Sequence, residues 1–556
     1  KALQFVNHKP LSLATKFGID PMSVLGDISI TANLGFPIIK GISLNNININ
    51  ADAKLINISM PDLLSNGGLQ NTNLDLVITR EGFNASGEIE LKGAPFELLW
   101  TEVFRTKNKN EFPSTYDLRG TLNKKQLVNF GIPVEDIMSG SVRTRMVVQG
   151  RGSRLMKGHA ETDLFPGAFK SVLLGWEKKI NTPGRVTFDL EWTTNEFKLN
   201  NIVADTVGLY TKGNVAFNRN TPEVIEAKFT EFKTLENDLT LMAKGSFEKG
   251  FNLVVDGTTL GVGPLLESLS IGKGPRKIPP LTMLLRVNKA LGLNGVSLSD
   301  FELSAHNSGD FWEWADASGK FDEGTNFDFK LSKSDELGGR NLKLTSNNAG
   351  RLALAAGLFI NGEGGKVELS AHLNDQYQDG LIQGELLIND FRLVKSSALV
   401  MALEVAKGNG FDSLIGENGI SFSKLDIPFV LREGIIDITD ANAHGPSIGF
   451  TMQGQVDQSM KEINVNGVIL PVYVLNSLLG SIPIVGNILT GGDGGLFGVN
   501  YRVEGKTSDA KVSISTLSAF APGFLRKIFQ GKKGKLAPNQ IKKFDKKKEP
   551  NNLHLN

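Results

Sequence analysis

The strongest constraint in this sequence is alternation. Phe188, Leu190 and Trp192 are interleaved with Asp189 and Glu191, and Phe327, Phe329 and Leu331 with Asp328 and Lys330. Phe450, Met452, Gly454 and Val456 alternate with Thr451, Gln453, Gln455 and Asp457; Val499, Tyr501 and Val503 repeat the pattern. A period of two places successive side chains on opposite faces, so each run predicts a strand with one apolar and one polar face. Clusters such as Asp379-Gly380 and residues 307–310 and 362–365 separate the runs with hairpin-turn chemistry. The expectation is a mostly β chain: an elongated, curled antiparallel sheet forming a U-shaped groove, with a few short helices. Helices are expected at 124–129 and 134–139, and at 396–407, where Leu399, Ala402, Leu403 and Ala406 stand at helical spacing. Others are expected at 472–479, 485–489 and 522–529.

Composition sharpens this picture. A chain of 556 residues with 40% apolar and 21% charged content is long enough for a large core and too apolar for disorder. It holds 33 Phe but only 5 Tyr and 5 Trp. Tyr and Trp serve where a ring must present a polar end, as in the girdles of membrane barrels. The preference for Phe argues against an outer-membrane barrel and for wide, dry apolar surface. The absence of Cys removes disulfides, thiolate metal sites and cysteine nucleophiles. The formal charge is +1, unevenly spread: the segment from Arg526 carries roughly +8, leaving roughly −7 on the body. An acidic body and a Lys-rich tail without interleaved aromatics do not suit nucleic acid.

Catalytic motifs are weak. Gly445-Pro446-Ser447-Ile448-Gly449, preceded by His444, matches G-x-S-x-G, which in hydrolases needs a strand–turn–helix elbow. Here an alternating strand follows the serine. The six histidines lack metal-ligand spacing, Gly272-Lys273-Gly274 lacks a phosphate-loop glycine upstream, and Asp493 stands alone among glycines. No active site, metal or cofactor is expected. Residues 464–492 carry no charge, but Pro471, Pro483, Gly480 and Gly486 would break a spanning helix, so two short apolar helices on the sheet are expected. Phe524 with Ile528 and Leu525 with Phe529 stand at i, i+4, and a polybasic run follows. That suits an anionic-lipid surface element or a capping helix with a solubilising tail; both readings stay open.

The C-terminal third carries a longer signature. Gly467-Val468-Ile469-Leu470-Pro471-Val472-Tyr473-Val474-Leu475-Asn476 leads into Ile482-Pro483-Ile484-Val485-Gly486-Asn487-Ile488-Leu489. Gly495-Leu496-Phe497, Tyr501-Arg502-Val503-Glu504-Gly505 and Leu517-Ser518-Ala519-Phe520-Ala521-Pro522-Gly523-Phe524-Leu525-Arg526 follow. These segments resemble the C-terminal signature of the AsmA-like superfamily, in its YhdP-type branch. Asp390-Phe391-Arg392-Leu393, Tyr116-Asp117-Leu118-Arg119-Gly120 and Gly175-Trp176-Glu177-Lys178 are similar to preceding parts of such chains. The Lys-rich end after Gln530 does not match the family pattern.

The resemblance implies a bridge-like lipid transfer protein of a diderm envelope, with phospholipid acyl chains sliding along an apolar β-groove across the periplasm. It implies an inner-membrane anchor by an N-terminal helix, expected upstream because residue 1 is Lys and no signal pattern opens the chain. The implied partners are phospholipids, the inner and outer membranes and envelope proteins. The organisation read from the sequence is a β-repeat segment at 1–115, a central groove at 116–380, a C-terminal domain at 381–530 and a basic tail at 531–556. Strands of roughly 14–17 residues with turns would number about 35–40, a trough on the order of 150–190 Å at about 4.8 Å per strand.

The candidate groove lining is Phe188, Leu190, Trp192, Phe327, Phe329, Leu331, Phe450, Met452, Val456, Val499, Tyr501 and Val503. The candidate membrane contacts are Val472, Leu475, Leu478, Leu479, Ile484, Ile488, Phe520, Phe524, Leu525, Arg526, Lys527, Ile528 and Phe529. The rival readings are a structural or assembly protein of the envelope with a filled β core, and the G-x-S-x-G hydrolase. A carbohydrate-binding solenoid ranks below both, because such surfaces usually present Trp and Tyr.

Overall fold

This computed structural model describes residues 4, 7, 20–35, 37, 48–60, 68–104, 111–151, 154–171, 174–221, 223–263, 279–321, 324–334, 338–357, 361–375, 381–394, 419–471, 499–506 and 510–515. Over them the chain is mostly β, an open, curled antiparallel sheet with short helices, as the alternation predicts. The described residues hold 29 strands, fewer than the expected number. Two compact units are distinct: Lys1–Gly384 with Arg432–Gly434, and Glu385–Leu431 with Ile435–Asn556.

In the first unit β1 (Leu25–Gly35), β2 (Asn48–Met60), β3 (Leu69–Ile78), β4 (Gly82–Leu91), β5 (Ala94–Val103) and β6 (Ser114–Asn123) form a meander. The sequence-expected boundary at 115/116 falls inside this meander, in β6. Helix α1 (Lys124–Asn129) leads to β7 (Met138–Arg151) and β8 (Arg154–Asp163). A small excursion, β9 (Gly167–Ser171) and β10 (Trp176–Lys178), pairs with the start of β7. The meander resumes when β11 (Gly184–Trp192) pairs back onto β8. It continues through β12 (Glu196–Thr206), β13 (Leu209–Asn218), β14 (Glu223–Thr234), β15 (Asp238–Ser246) and β16 (Gly250–Gly261).

Strand β17 (Leu281–Leu291) lies parallel to β16. Antiparallel pairing returns with β18 (Ser297–Asn307), β19 (Trp312–Lys320), β20 (Asn326–Lys333) and β21 (Arg340–Ser346). Helix α2 (Ala349–Ala355) then precedes β22 (Gly362–Leu373). The second unit comprises β23 (Ile382–Leu393), β24 (Ile420–Arg432), β25 (Ile435–His444), β26 (Ile448–Asp457), β27 (Glu462–Pro471), β28 (Val499–Lys506) and β29 (Lys511–Ser515).

Bulges give the first unit its curl. Register shifts interrupt β2, β3, β12 and β18, and each contains an Asn or Asp with positive φ: Asn57, Asn71, Asn201 and Asp300. Asn and Asp tolerate that conformation best after Gly, and each bulge sharpens the local twist. The bulged amides find partners. Asn57 N–H donates to Asn73 Oδ1 at 2.9 Å, and Asn201 N–H donates to Asn214 Oδ1 at 2.8 Å.

Helix α1 forms where the sequence places it, because Asn123 and Gln126 make a reciprocal capping box. Gln126 and Asn129 also donate to the carbonyls of Gly93 and Lys92, tying the helix to the β4–β5 turn. The second expected helix, 134–139, is instead a single turn that runs into β7. The Met138 and Ser139 positions are engaged in the ladder to Phe169 and Ala168 of β9, so the turn cannot propagate. Helix α2, which the sequence reading missed, is capped by the Asn348 side chain and buries Ala349, Gly350 and Ala355. The helices expected at 396–407, 472–479, 485–489 and 522–529 lie outside the described residues.

Candidate apolar groove

Cross-strand partners in the first unit fall into one continuous apolar row. It runs Ile30–Ala53–Leu76–Ala85–Trp100–Tyr116–Val148–Gly158–Leu190, each residue opposite the next on the neighbouring strand. It continues Leu199–Val215–Ala227–Ala243–Leu253–Met283. It ends Ala305–Ala315–Leu331–Leu342–Ala371. One position from every strand between β1 and β22, the β9–β10 excursion aside, joins the row, and none is charged. Strands stacked at about 4.8 Å make this strip on the order of 90 Å long.

The opposite face is built differently. On it stand Lys54–Asp75, Arg145–Asp117, Arg185–Glu161, Lys212–Glu231, Lys244–Glu226, Arg286–Asp256 and Lys343–Glu368, all ion-paired. Most of these pairs are exposed and contribute little each. Asp117 is the better enclosed, and hydrogen bonds from Arg145 hold its carboxyl below the usual range. Their joint effect is to fix which face meets water.

Many row residues are only half-buried, among them Leu199, Val215, Ala227, Ala243, Leu253 and Met283. Their lateral neighbours are apolar, yet the face is not sealed as a two-layer core would be. Tighter packing interrupts it at several places, the middle included, where Leu239, Val255, Leu285 and Val287 are buried together across β15–β17. Leu127 of α1 joins Leu118, Leu122, Val134 and Met138 over β5–β7, and α2 joins Val296 and Phe321 near β18–β20. Two hydroxyls on this face satisfy each other: those of Thr144 and Thr162 lie 2.9 Å apart. At the end of β21 the Arg340 guanidinium lies 4.5 Å over the Phe311 ring and pairs with Asp375.

Leu190 and Leu331 stand in the row itself and are buried; Phe188, Trp192, Phe327 and Phe329 share its face half-buried. In the second unit Phe450, Met452 and Val456 lie opposite Ala443, Ala441 and Ile436 on one face of β26. Val499, Tyr501 and Val503 meet that face across β27 through Ile469, Gly467 and Val465. Part of this face is closely packed, while Met452 and Val456 stay half-buried. Phe391 stacks on Phe422, which meets the Phe450 ring edge to face; Ile448 and Ile469 are fully buried, and Tyr501 donates its hydroxyl to the Thr451 carbonyl at 2.8 Å. Tyr501 is thus a core residue with a satisfied polar end. All the candidate membrane contacts, Val472 through Phe529, lie outside the described residues.

Sequence reasoning missed the small members of the row. Ala53, Ala85, Gly158, Ala227, Ala243, Ala305 and Ala315 do not read as lining, yet each has at least one polar or charged neighbour in sequence that marks the opposite face. The G-x-S-x-G segment is the turn between β25 and β26, with Gly445 N–H donating to Ile448 O. Burial pushes the neighbouring His444 down, so its ring is neutral near pH 7. Among the described residues no cluster of His, Asp and Glu could hold a metal ion, and no helix is long and apolar enough to cross a membrane. Comparison with protein-family models, curated proteins and solved structures finds no match for this chain.

Proposed function

We propose that the first unit carries phospholipid acyl chains on its apolar face, as a segment of a bridge between two membranes. The observation that supports this most directly is the unbroken apolar row from Ile30 to Ala371, half-buried over its middle strands and backed by an ion-paired face. Uncovered apolar surface of that length is a liability without an occupant. Hydrocarbon fits it because, Trp100 and Tyr116 aside, the row residues carry no polar side-chain group. Each methylene hidden there avoids about 0.8 kcal/mol of exposure, while headgroups stay in water at the strand ends. A row repeating at every strand makes neighbouring positions nearly equal in energy, so lipid moves by diffusion and supply sets its direction. The resemblance of residues 467–526 to the AsmA-like C-terminal signature supports the same reading, and with it a periplasmic, inner-membrane-anchored protein that delivers to the outer membrane.

The second reading, a filled-core assembly protein, is favoured by one observation in the second unit. There Phe391, Phe422, Ile448 and Ile469 form a buried cluster with Tyr501. We therefore assign carriage to the first unit and a rigid structural role to the second. Native mass spectrometry of the purified chain, with extracted lipids identified, tests the assignment. Several phospholipids per chain, lost on placing charges at Leu199, Val215 and Leu253, is the expected result. A lipid-free, stable monomer would sink it.

A further inference from the structure

The strand ends of the first unit form two rims. Antiparallel pairing sends alternate connections to opposite ends, and the parallel β16–β17 pair starts β17 at the end where β16 starts. One rim holds α1, the 3-10 turn Leu293–Gly295 and α2. The other holds the β3–β4, β11–β12, β15–β16 and β18–β19 turns and, among the described residues, no helix.

On the face that bears the row, burial changes from one rim to the other. Along β17, Leu281 and Met283 are half-buried near the helix-free rim, whereas Leu285, Val287 and Ala290 towards the helix rim are buried. In β16 the same change runs from Phe251 and Leu253 to Val255. Strands β13 and β15 run the other way: Thr211 and Gly213 are buried and Val215 and Phe217 half-buried, as Leu239 is buried and Leu241 and Ala243 half-buried. At the helix rim α1 and α2 pack onto this face through Leu127 and Ala355. Over these strands the face is closed at the helix rim and open at the other. Aromatic rings with a polar atom gather at the open rim. Among the described residues of the main meander, Trp100, Tyr116, Trp192 and Trp312 are the Trp and Tyr rings on this face, each in the half of its strand nearer that rim. Beside them Trp192, Phe197 and Phe217 form a ladder with centroids 5.2 and 6.0 Å apart, and Phe247, 68% exposed, meets Phe251 at 5.4 Å.

We propose that the open rim is the headgroup track: each phospholipid lies with its glycerol and phosphate beside Trp192, Phe217, Phe247 and Trp312, and its acyl chains reach from there onto the row. The inference rests on the carriage reading and adds to it the orientation of the lipid. Two physical arguments select this rim. A ring with an apolar body and a polar atom belongs where hydrocarbon gives way to water, which in a bilayer is the level of the glycerol and headgroup. At the closed rim a phosphate would have to shed its water against Leu239, Val255 and Val287, with no polar group in that cluster to replace it. The open rim mixes Arg219 and Lys249 with Glu223 and Glu248, so it takes the phosphodiester common to phospholipids and selects no single headgroup charge.

The test loads the purified chain with phosphatidylethanolamine carrying a photoreactive diazirine, either on the headgroup or at the methyl end of one acyl chain. After irradiation the labelled residues are mapped by mass spectrometry, and bound lipid is measured on the same samples. The headgroup probe is expected to label the β11–β12, β13–β14 and β15–β16 turns several-fold more than the β12–β13 and β14–β15 turns of the helix rim. The methyl-end probe is expected to label the row between Leu199 and Met283 instead. Headgroup label concentrated on the helix rim, or equal on both rims, would overturn the orientation while the bound lipid left the carriage reading standing. A chain that holds no lipid and takes neither label would sink both.

Discussion

Ala243→Glu offers a decisive perturbation of the apolar row. Ala243 lies between Ala227 and Leu253, half-buried, and its side chain adds nothing to the ion-paired face. An extended acyl chain along the row advances roughly 1.25 Å per methylene, so roughly four methylenes cover one strand of about 4.8 Å. At about 0.8 kcal/mol each, a hydrated carboxylate there removes about 3 kcal/mol of contact from the passing chain. That is roughly a hundredfold in the rate of passage. On an uncovered face the carboxylate keeps its water, so the stability cost should be about 1 kcal/mol and the melting transition should move by only a few degrees. In a filled core the same charge would be buried and unpaired, costing several kcal/mol. The assay is transfer of a fluorescent phospholipid between donor and acceptor vesicles, with calorimetry alongside. Lys244→Glu, one residue along on the ion-paired face, is the control. Equal transfer by the two variants would refute the reasoning, and so would a collapse of stability in Ala243→Glu.

Three further outcomes are expected. Leu331→Ala empties a site enclosed by Ala305, Ala315, Phe329 and Leu342 and should cost about 2–5 kcal/mol in denaturant unfolding; a loss below 1 kcal/mol on that scale would contradict the packing described. Tyr116 is pushed up to about 12, by burial first and the nearby Glu102 second. Its folded value lies above the unfolded one, so its contribution to stability is whole below about pH 10 and lost as pH rises towards 12, which ultraviolet titration against unfolding curves will read. Lys178→Met leaves the carbonyls of Leu164, Gly167 and Lys179 without their ammonium donor; a loss of about 3 kcal/mol or more, with faster amide exchange in β9 and β10, is the expected result.

The strands were legible because each carries its own pattern. Phe188–Leu190–Trp192 and Phe327–Phe329–Leu331 share the apolar face as their alternation requires. Helix α1 was legible because its capping box is local, four residues long. The turn at 134–139 was misread because its continuation is decided by β9, a strand roughly thirty residues on, which takes its backbone into a ladder. The small row members were illegible as lining: an alanine contributes little to any hydropathy pattern, and only its neighbours across the sheet show that it completes a row.

The sequence by itself determined that the chain is a series of two-faced strands, without cysteine chemistry and rich in apolar rings that carry no polar end. Those properties reside in each residue or its near neighbours. The tertiary structure alone decided that the apolar faces align from Ile30 to Ala371 through successive bulges and one parallel pair. It also decided which members of those faces are buried in clusters, such as Phe422 and Ile448 in the second unit, and which stay half-buried, such as Leu199 and Val215 in the first. The physical reason is that period-two alternation fixes a side chain's face only within its own strand. Which residue stands opposite is set by register, and every bulge shifts that register by contacts distant in sequence.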